Sequence, residues 1–354
     1  MSNRSPLRVL IATPTQGRYG GLEAFVLALA ETLVKAPEFA PRVCFKLMRG
    51  AAFSEELRVR CEKIGVPFVV VPRASFALWK NLRWAEVVHG QNPSPDIALG
   101  ARLLRRPLML TIINHRSEGR SLHTRLWDWA AHSSAVRCYI SDFVRQTWEP
   151  GGLRAGSQVM PAVSQLPPVQ PVNWERAGFF FIGRWIENKG LEELIEAYAT
   201  ANLDRTRWPL TLGGDGPLRA RIEQAIARQA LTTVRLAGFV SEAEKFSLMS
   251  RAKWNVAPPH TREDLGLTPI EARHLAVPSI ITRDGGLLEA AGPDALVAEP
   301  GDVASLRARL EDAANMSEEE YRRRALAAQK QLGDFLRPLS DYQPLYRQLA
   351  GRSR

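Results

Sequence analysis

The sequence has few cysteines and no long apolar run, and these shortages exclude several kinds of protein. Three of its 354 residues are cysteine, and none forms a Cys-x-x-Cys motif. Disulfide-rich secreted domains and cysteine-ligated zinc domains are therefore disfavoured, and we interpret the three thiols as buried. The longest uncharged run, residues 155–174, is rich in Pro, Gln and Ser and is no candidate for a membrane span. Because the apolar run at residues 9–12 is too short for a signal peptide, we expect a cytoplasmic protein.

Motifs for two kinds of nucleotide chemistry are also missing. No Gly-x-Gly-x-x-Gly follows the first apolar run, since Gly17, Gly20 and Gly21 have a different spacing, and this argues against a dinucleotide-binding dehydrogenase. Zinc-finger spacings and aromatic RNA-binding signatures are absent as well. We therefore expect no nucleic-acid partner.

Acidic residues are scarce in the first half of the chain, where all of the net charge lies. Residues 1–170 contain 22 Lys and Arg against 12 Asp and Glu, whereas residues 171–354 contain 25 of each. Residues 101–125 carry six arginines, Arg120 among them, and one acidic residue, Glu118. Such a field attracts phosphates or an anionic membrane surface. A solvated basic face without a partner is the alternative.

Short apolar runs alternate with amphipathic stretches along the whole chain. The first run, residues 7–12, is followed by a glycine loop and a helical pattern from Leu22 to Leu33. Nearly continuous apolar strands between helices are typical of parallel sheets covered on both faces. The same alternation starts again at residue 179. The predicted fold class is therefore α/β with two doubly wound parallel sheets, whose ligands bind at the carboxyl ends of the strands.

A proline-rich segment at residues 164–172 separates the two series and is interpreted as a linker. We accordingly place the first domain at residues 1–165 and the second at residues 166–337. An amphipathic helix at about 338–354 is expected to pack back on the first domain.

A loop and helix in the second half contain the most informative polar residues. Pro269 suits the first turn of a helix, and Thr268 with Glu271 has the spacing of a capping box, which predicts a helix N-terminus at Thr268. Glu263 lies on the loop before it, and Gly266 allows that loop to turn tightly. A helix N-terminus preceded by a carboxylate suits a diphosphate and sugar hydroxyls. On spacing alone, a plain helix cap and a solvated carboxylate remain the alternative.

Two cations follow another apolar run of the second half. Arg184 and Lys189 lie on the loop after a strand that ends at Gly183. Together they suit a diphosphate, because a guanidinium binds two oxygens at once. Either one alone is more often a surface charge. Gly213-Gly-Asp-Gly-Pro217 marks another tight strand-to-helix turn and by itself indicates only that turn.

Taken in chain order, these segments resemble glycosyltransferase family 4, the retaining transferases of the GT-B fold. The matching segments are Gly20-Gly21-x-Glu23, Leu108-Met-Leu-Thr-Ile-Ile-Asn-His115, Gly183-Arg184 with Lys189-Gly190, Gly214-Asp-Gly216-Pro217, Leu236-Ala-Gly-Phe-Val240, Pro258-Pro259, Glu263 to Glu271-Ala272, and Gly285-Gly286 with Glu289. The resemblance spans almost the whole chain, and its specificity comes from the order of the motifs. It implies two Rossmann-like domains facing a central cleft, with the acceptor bound by the first and a nucleotide-sugar donor by the second.

The resemblance also implies roles for residues of the donor domain. Arg184 and Lys189 would hold the diphosphate, and Glu263 would face the donor sugar as a nucleophile or as a positioning group. Glu271 would take the ribose hydroxyls. Further donor contacts would come from Gly183, Gly214, Gly238, Phe239, Val240, Gly266 and Leu267.

In the first domain the resemblance points to a glycine loop and a histidine. Gly20 and Gly21 would let backbone amides approach the phosphate, and His115 would lie near the transferred sugar as a catalytic or orienting group. His89, at the end of a similar strand, is the competing histidine. Because the chain contains no Asp-x-Asp motif, we expect neither a metal nor another cofactor.

The expected function is transfer of a sugar from a UDP- or GDP-sugar to a hydroxyl of a glycan or lipid-linked acceptor, in cell-envelope polysaccharide or lipopolysaccharide synthesis. The basic first half would receive the acceptor and would allow peripheral association with the inner face of the cell membrane. Two other functions stay open. One is a GT-B sugar-nucleotide epimerase or hydrolase, and the other is a non-catalytic basic protein that binds a membrane or a nucleotide.

Overall fold

The computed structural model describes residues 5–119, 121–164 and 166–352. The chain divides into two compact units: the first comprises Met1–Gln165 with Leu336–Arg354, and the second comprises Leu166–Phe335. Arg120 of the predicted basic segment and Gln165 of the predicted linker lie outside the described residues.

Strands and helices alternate through both units. The strands are β1 (Leu7–Thr15), β2 (Phe39–Leu47), β3 (Phe68–Val71), β4 (Val87–Gln91), β5 (Leu108–Ile112), β6 (Val136–Tyr139), β7 (Ser157–Val159), β8 (Phe179–Ile182), β9 (Leu210–Gly213), β10 (Val234–Gly238), β11 (Trp254–Ala257), β12 (Ser279–Thr282) and β13 (Leu296–Ala298). The α-helices are α1 (Gly21–Val34), α2 (Glu55–Ile64), α3 (Phe76–Trp84), α4 (Pro95–Leu103), α5 (Leu122–His132), α6 (Asp142–Trp148), α7 (Leu191–Thr200), α8 (Arg219–Arg228), α9 (Glu242–Arg251), α10 (Leu267–His274), α11 (Leu287–Ala291), α12 (Val303–Asn315), α13 (Glu318–Phe335) and α14 (Tyr342–Arg352).

Each unit is built on one parallel sheet. The strand order is β3-β2-β1-β4-β5-β6-β7 in the first unit and β10-β9-β8-β11-β12-β13 in the second. Every pair of neighbouring strands in both sheets is parallel. The order reverses beside β1 and beside β8, so the carboxyl ends of these strands are the switch points where ligands of such sheets bind. The predicted fold class of two doubly wound parallel-sheet domains is confirmed.

Helices cover both faces of the first sheet. Serine side chains cap four of them: Ser54, Ser75, Ser121 and Ser141 each accept a backbone N–H from the first turn of α2, α3, α5 and α6. Right-handed crossovers put α3, α4 and α5 on one face of the sheet and α1 and α2 on the other. On the first of these faces, α3 contacts α4 and α4 contacts α5.

The C-terminal helix α14 belongs to the core of the first unit. Tyr342 and Tyr346 are fully buried there among residues of α1, α2 and the central strands. Tyr346 Oη lies 2.8 Å from Nδ1 of His89, and Thr111 Oγ1 lies 2.8 Å from its Nε2. His89 has no exposed surface, and burial lowers its pKa to about 3. Because both ring nitrogens are bonded inside the core, His89 serves the packing of α14 and is not a site residue.

This buried imidazole predicts acid sensitivity of the first unit. His89 stays neutral in the folded state but takes up a proton near pH 6.5 once unfolded, so the unfolded state binds more protons below that pH. The contribution of His89 is complete above pH 6.5. It falls by about 1.4 kcal/mol per pH unit between about pH 6.5 and about pH 3. Urea unfolding across that window measures how the free energy of unfolding depends on pH. In His89→Gln this slope should be smaller than in wild type by the contribution of one proton.

His123→Gln is the matched control, because His123 is exposed on α5. Its unfolding free energy should follow the wild-type dependence on pH. Equal slopes in His89→Gln and the wild type would show that the folded protein tolerates a charged imidazole at this position.

Aromatic side chains fill the core of the second unit. Trp185, Trp254 and Tyr321 are at most 1% exposed, and the rings of Phe179 and Trp208 stack with centroids 5.3 Å apart. Trp185 lies on the loop that follows β8, and its Nε1 donates to the carbonyl of the last β9 residue over 3.1 Å. The buried indole therefore anchors the loop that carries the two predicted cations.

None of the helices in the described part of the chain has both the length and the apolar composition of a membrane-spanning segment.

Candidate functional site

A pocket of about 220 Å³ lies at the carboxyl ends of β8 and β11 in the second unit. Its lining residues are Phe181, Ile182, Gly183, Arg184, Lys189, Ala257, Pro259, Glu263, Gly266, Leu267, Thr268 and Leu287. The residues predicted from sequence that the structure brings together here are Gly183, Arg184, Lys189, Glu263, Gly266 and Leu267. The pocket therefore combines two cations, one carboxylate and the start of a helix.

Lys189 and Glu263 form an ion pair at the wall of this pocket. Lys189 Nζ lies 2.6 Å from Glu263 Oε2, and both side chains are about one quarter exposed. Gly190 brings their two loops together: its φ is 67°, and a Cβ at this position would lie 1.8 Å from the carbonyl oxygen of Pro258. Only glycine permits this approach between the lysine loop and the Pro258-Pro259 segment.

Arg184 is the second cation of the pocket and is exposed. Among the described residues, its guanidinium has no hydrogen-bond or ion-pair partner. Trp185, the next residue, is fully buried and holds the backbone at this point. A guanidinium on an anchored loop, with its donors unused, is well suited to an anionic ligand.

Asp284 and a glycine turn hold the backbone of Glu263. The Glu263 N–H donates to Asp284 Oδ2 over 2.8 Å, and the Glu263 carbonyl accepts the Gly286 N–H over 2.7 Å. Gly285 has a φ of 49°, and a Cβ there would lie 2.1 Å from the Glu263 carbonyl oxygen. Burial raises the pKa of Asp284 above its ordinary value. Sequence reasoning missed Asp284, although it directly precedes the Gly285-Gly286 motif.

The predicted capping box at Thr268 and Glu271 is wrong. The first residue of α10 is Leu267, its N-cap is Gly266 with a φ of 90°, and no side chain caps this N-terminus. The left-handed glycine turns the chain into the helix before Thr268, which leaves Glu271 as the fifth helical residue, beyond the capping position. The uncapped first turn, with Gly266, Leu267 and Thr268, lines the pocket and offers backbone N–H groups to an anion.

Glu271 pairs with a lysine that sequence reasoning missed. Its Oε1 lies 2.6 Å from Nζ of Lys245 on α9, and Lys245 also lies 2.9 Å from Glu242 Oε2. Burial raises the pKa of Glu271, although the ammonium opposes this. Burial lowers the pKa of Lys245, but the carboxylates of Glu271 and Glu242 raise it by more. The pKa of Lys245 is therefore above its ordinary value. Glu271 is not among the pocket-lining residues, and no motif in the sequence marks Lys245 as its partner.

Glycines from three strand ends pack against one another beside the pocket. The Gly183 N–H donates to the Gly213 carbonyl over 3.3 Å, and the Gly214 N–H donates to the Gly238 carbonyl over 2.7 Å. Gly214 has a φ of 107°, and a Cβ there would lie 1.9 Å from the Gly183 carbonyl oxygen. Of these glycines, only Gly183 is a pocket-lining residue. Gly214 contacts the Gly183 backbone, and Gly238 in turn contacts Gly214.

The predicted base-flanking loop follows Gly238 at the end of β10. Phe239 is 87% exposed, and Val240 is half-buried. Neither residue is part of the pocket lining. An exposed phenyl ring presents a flat apolar face that is available for stacking.

In the loop after β1, the left-handed glycine is Gly17 rather than Gly20 or Gly21. Gly17 has a φ of 78°, and a Cβ there would lie 2.0 Å from the Ala52 carbonyl oxygen. Gly20, with a φ of −157°, is the N-cap of α1, and Gly21 is the first residue of that helix. Both are exposed, and no side chain caps the helix N-terminus that they form.

His115 lies on a loop of the first unit that neighbouring side chains hold in place. It is half-buried, and its ring centroid lies 6.3 Å from that of Phe143. Asn92 Oδ1 accepts the N–H of Asn114 over 3.1 Å, and Thr147 Oγ1 accepts the N–H of Arg116 over 2.9 Å. The residues on both sides of His115 are therefore fixed, while His89 is enclosed in the core.

No cluster of three or more His, Cys, Asp or Glu side chains within residues 5–119, 121–164 and 166–352 could hold a metal ion. Glu263, the carboxylate of the pocket, is paired with Lys189.

Comparisons with known proteins bear on both units. Residues 165–331 match the family described as Glycosyl transferases group 1. O-antigen chain mannosyltransferase C of Escherichia coli is 31% identical over 103 residues, which is 29% of this chain and 26% of that protein. D-rhamnosyltransferase WbpZ of Pseudomonas aeruginosa is 28% identical over 242 residues, 65% of this chain and 60% of that protein. The chain thus matches less than two thirds of the length of these relatives.

Among solved structures, Anabaena HepE in complex with UDP and glucose superposes with a TM-score of 0.77. The two sequences are 16% identical, and the superposition covers 98% of this chain and 100% of that one. This likeness extends over both parallel-sheet units and establishes the architecture of the chain. The chain has the GT-B fold of two parallel-sheet units, and its residues 165–331 match the glycosyl transferases group 1 family.

Proposed function

We propose that this protein is a hexosyltransferase. It transfers a sugar from a nucleoside-diphosphate sugar, a UDP- or GDP-sugar, to a hydroxyl of a glycan or lipid-linked acceptor. The family that residues 165–331 match and the names of two bacterial relatives, an O-antigen chain mannosyltransferase and a D-rhamnosyltransferase, support this class of reaction. The names of the relatives also favour a role in the synthesis of cell-envelope polysaccharide or lipopolysaccharide, and we place this reaction in the cytoplasm.

The observation that carries the proposal is the composition of the pocket in the second unit. Within the part of the chain that the structure describes, the Arg184 guanidinium has no partner, Lys189 and Glu263 are paired, and the first turn of α10 has no side-chain cap. A diphosphate needs positive charge and N–H donors, and a sugar needs a carboxylate that accepts from its hydroxyls. All of these groups line one pocket of about 220 Å³.

In this mechanism the main role of the protein is to stabilise charge. Negative charge builds on the diphosphate as the bond to the sugar breaks, and Arg184, Lys189 and the N–H groups of α10 stabilise it without a metal cofactor. The anomeric carbon becomes oxocarbenium-like, and the Glu263 carboxylate stabilises it from the wall of the pocket. We propose retention of the anomeric configuration, in line with the resemblance to glycosyltransferase family 4. His115, on its fixed loop, is the proposed orienting group for the transferred sugar.

The decisive experiment is a screen of UDP- and GDP-sugars. Thermal stabilisation identifies the donor that binds, and product analysis by chromatography identifies the reaction. Transfer to an added glycan or lipid-linked acceptor supports the proposal. Release of free sugar or of an epimer, without transfer to any acceptor, would assign the protein to the epimerase or hydrolase class. If none of these nucleotide-sugars binds, the proposal is wrong and the non-catalytic basic protein is the remaining alternative.

Arg184→Ala should weaken binding of the nucleoside diphosphate about 10- to 100-fold, because a hydrogen bond to a charged group contributes about 1.5–3 kcal/mol. Calorimetry with UDP or GDP measures this effect. Arg228→Ala is the matched control, since Arg228 is exposed on α8 of the same unit and lies outside the pocket lining. Equal losses of affinity in the two variants would place the diphosphate elsewhere.

A further inference from the structure

The outer surface of the helix layer α3, α4 and α5 exposes an unusual number of large apolar side chains. Phe76, Leu103 and Leu122 are 83%, 63% and 73% exposed. We call this surface the α3–α5 face and define its apolar part as Phe76, Trp79, Leu99, Leu103, Leu122 and Leu126. Side chains of this size are costly to leave in water, and a group of them on neighbouring helices marks an interaction site.

These side chains lie on three neighbouring helices. α4 contacts α3 on one side and α5 on the other. A Cβ placed on Gly100 of α4 would lie 3.8 Å from the ring of Trp79, so this indole from α3 rests directly on α4. Leu99 and Leu103 of α4 flank that contact along the helix. The apolar groups therefore extend from α3 across α4 toward α5 without an intervening element.

Exposed cations lie on the same helices and on the turns beside them. The exposed basic residues on the three helices and the turns joined to them are Arg73, Lys80, Arg83, Arg102, Arg105 and Arg125. Within the described residues, none of them has an ion-pair partner. Three acidic residues of the same segments, Glu86, Asp96 and Asp128, pair with Arg8, Lys46 and Arg116, and Glu118 on the loop before α5 is a further one. The face consequently carries uncompensated positive charge around an apolar centre.

We propose that the α3–α5 face docks on the surface of an anionic lipid bilayer. Leucine, phenylalanine and tryptophan side chains enter the boundary between headgroups and acyl chains, while arginine and lysine bind the anionic headgroups. Charge complementarity selects this occupant: exposed apolar groups alone would suit any hydrophobic partner, but the surrounding unpaired cations require a negatively charged one. Docking here holds the first unit at the inner face of the membrane, where a lipid-linked acceptor is presented. That last consequence rests on the proposed function, whereas bilayer binding does not.

Flotation with vesicles tests the proposal on the full-length protein. Wild type should float with vesicles of phosphatidylcholine and phosphatidylglycerol and stay at the bottom with phosphatidylcholine alone, and added salt should weaken the binding. The triple variant Phe76→Ser, Leu103→Ser and Leu122→Ser should partition about tenfold less or lower. These side chains are exposed, so the variant should fold, and calorimetry with UDP or GDP verifies that the second unit still functions as in wild type.

The control replaces three other exposed apolar residues, Val59→Ser, Leu153→Ser and Leu326→Ser, which are 53%, 56% and 48% exposed. It should float as wild type does. Equal recovery of wild type with both kinds of vesicle overturns the proposal, and so does an equal loss in the control. If wild type is a dimer that the face variant dissociates, and vesicles remain unbound, the face joins two protein chains and the lipid assignment is wrong.

Discussion

Replacing Glu263 with glutamine should lower the rate of sugar transfer about a hundredfold or more while nucleotide binding survives. The amide keeps the shape of the side chain but removes its negative charge, and loss of one preorganised electrostatic group costs about 10²–10³ in kcat. Lys189 would lose the carboxylate that lies 2.6 Å away and would keep its full charge for the diphosphate. The rate should therefore fall through kcat, and the affinity for UDP or GDP should be unchanged or higher.

Initial rates with the donor and acceptor found by screening, together with calorimetry, separate these two effects. Glu196→Gln is the control, because this glutamate is exposed on α7 and does not line the pocket. Undiminished turnover in Glu263→Gln would remove this carboxylate from the chemistry. A matching loss of nucleotide affinity would show that it serves binding instead.

Gly190→Ala should lower the free energy of unfolding of the second unit by about 3 kcal/mol. A non-glycine residue in the left-handed region costs about 1–3 kcal/mol, and the new methyl would lie 1.8 Å from the Pro258 carbonyl oxygen unless the backbone moves. Since Gly190 follows Lys189, this movement separates the lysine from Glu263. A misplacement of about 1 Å at a site costs about 10² in rate, so activity should fall in the molecules that remain folded.

Gly333→Ala controls for the substitution itself. Gly333 lies within α13 of the same unit, and no atom lies within 4 Å of a Cβ at that position. Alanine should be neutral there or should raise stability by about 0.5–1 kcal/mol. Denaturant unfolding of the two variants side by side decides the matter: similar stabilities would show that the lysine loop can relax away from Pro258.

The site residues that could be predicted from the sequence lie beside strand ends and glycine turns, which short stretches of sequence indicate clearly. Arg184 and Lys189 follow a short apolar strand, and Glu263 precedes a glycine that must turn the chain. Parallel strands deliver such loops to one edge of the sheet, and the pocket brings all three side chains together.

Features that depend on contacts between distant segments could not be predicted in this way. Lys245 meets Glu271 only because α9 packs beside α10, 26 residues further along the chain. The capping box at Thr268 had the correct spacing, but the left-handed Gly266 starts the helix earlier. The sequence contains both signals, the capping-box spacing and the glycine, but it does not show which of them sets the first residue of the helix.

Helix α3 has no clear amphipathic period in the sequence. Its inward face is formed by Leu78, Asn81 and Leu82, while Phe76 and Trp79 are exposed. Apolar residues on both faces hide the 3.6-residue period on which prediction of a helix depends. The side chains that obscured this helix are those of the α3–α5 face, so the irregular pattern had a physical meaning.

The burial of α14 in the first unit has a consequence for synthesis on the ribosome. Tyr342, Tyr346 and Leu349 complete a core whose other buried residues, from Val9 to Ala162, are translated at least 180 positions earlier. When the linker emerges from the exit tunnel, that core still has a gap along His89, and it stays open while the whole following unit is made. The first unit is translated first, but its core is completed last, when α14 is made. The second unit contains its whole core in one continuous stretch of chain and is complete before that.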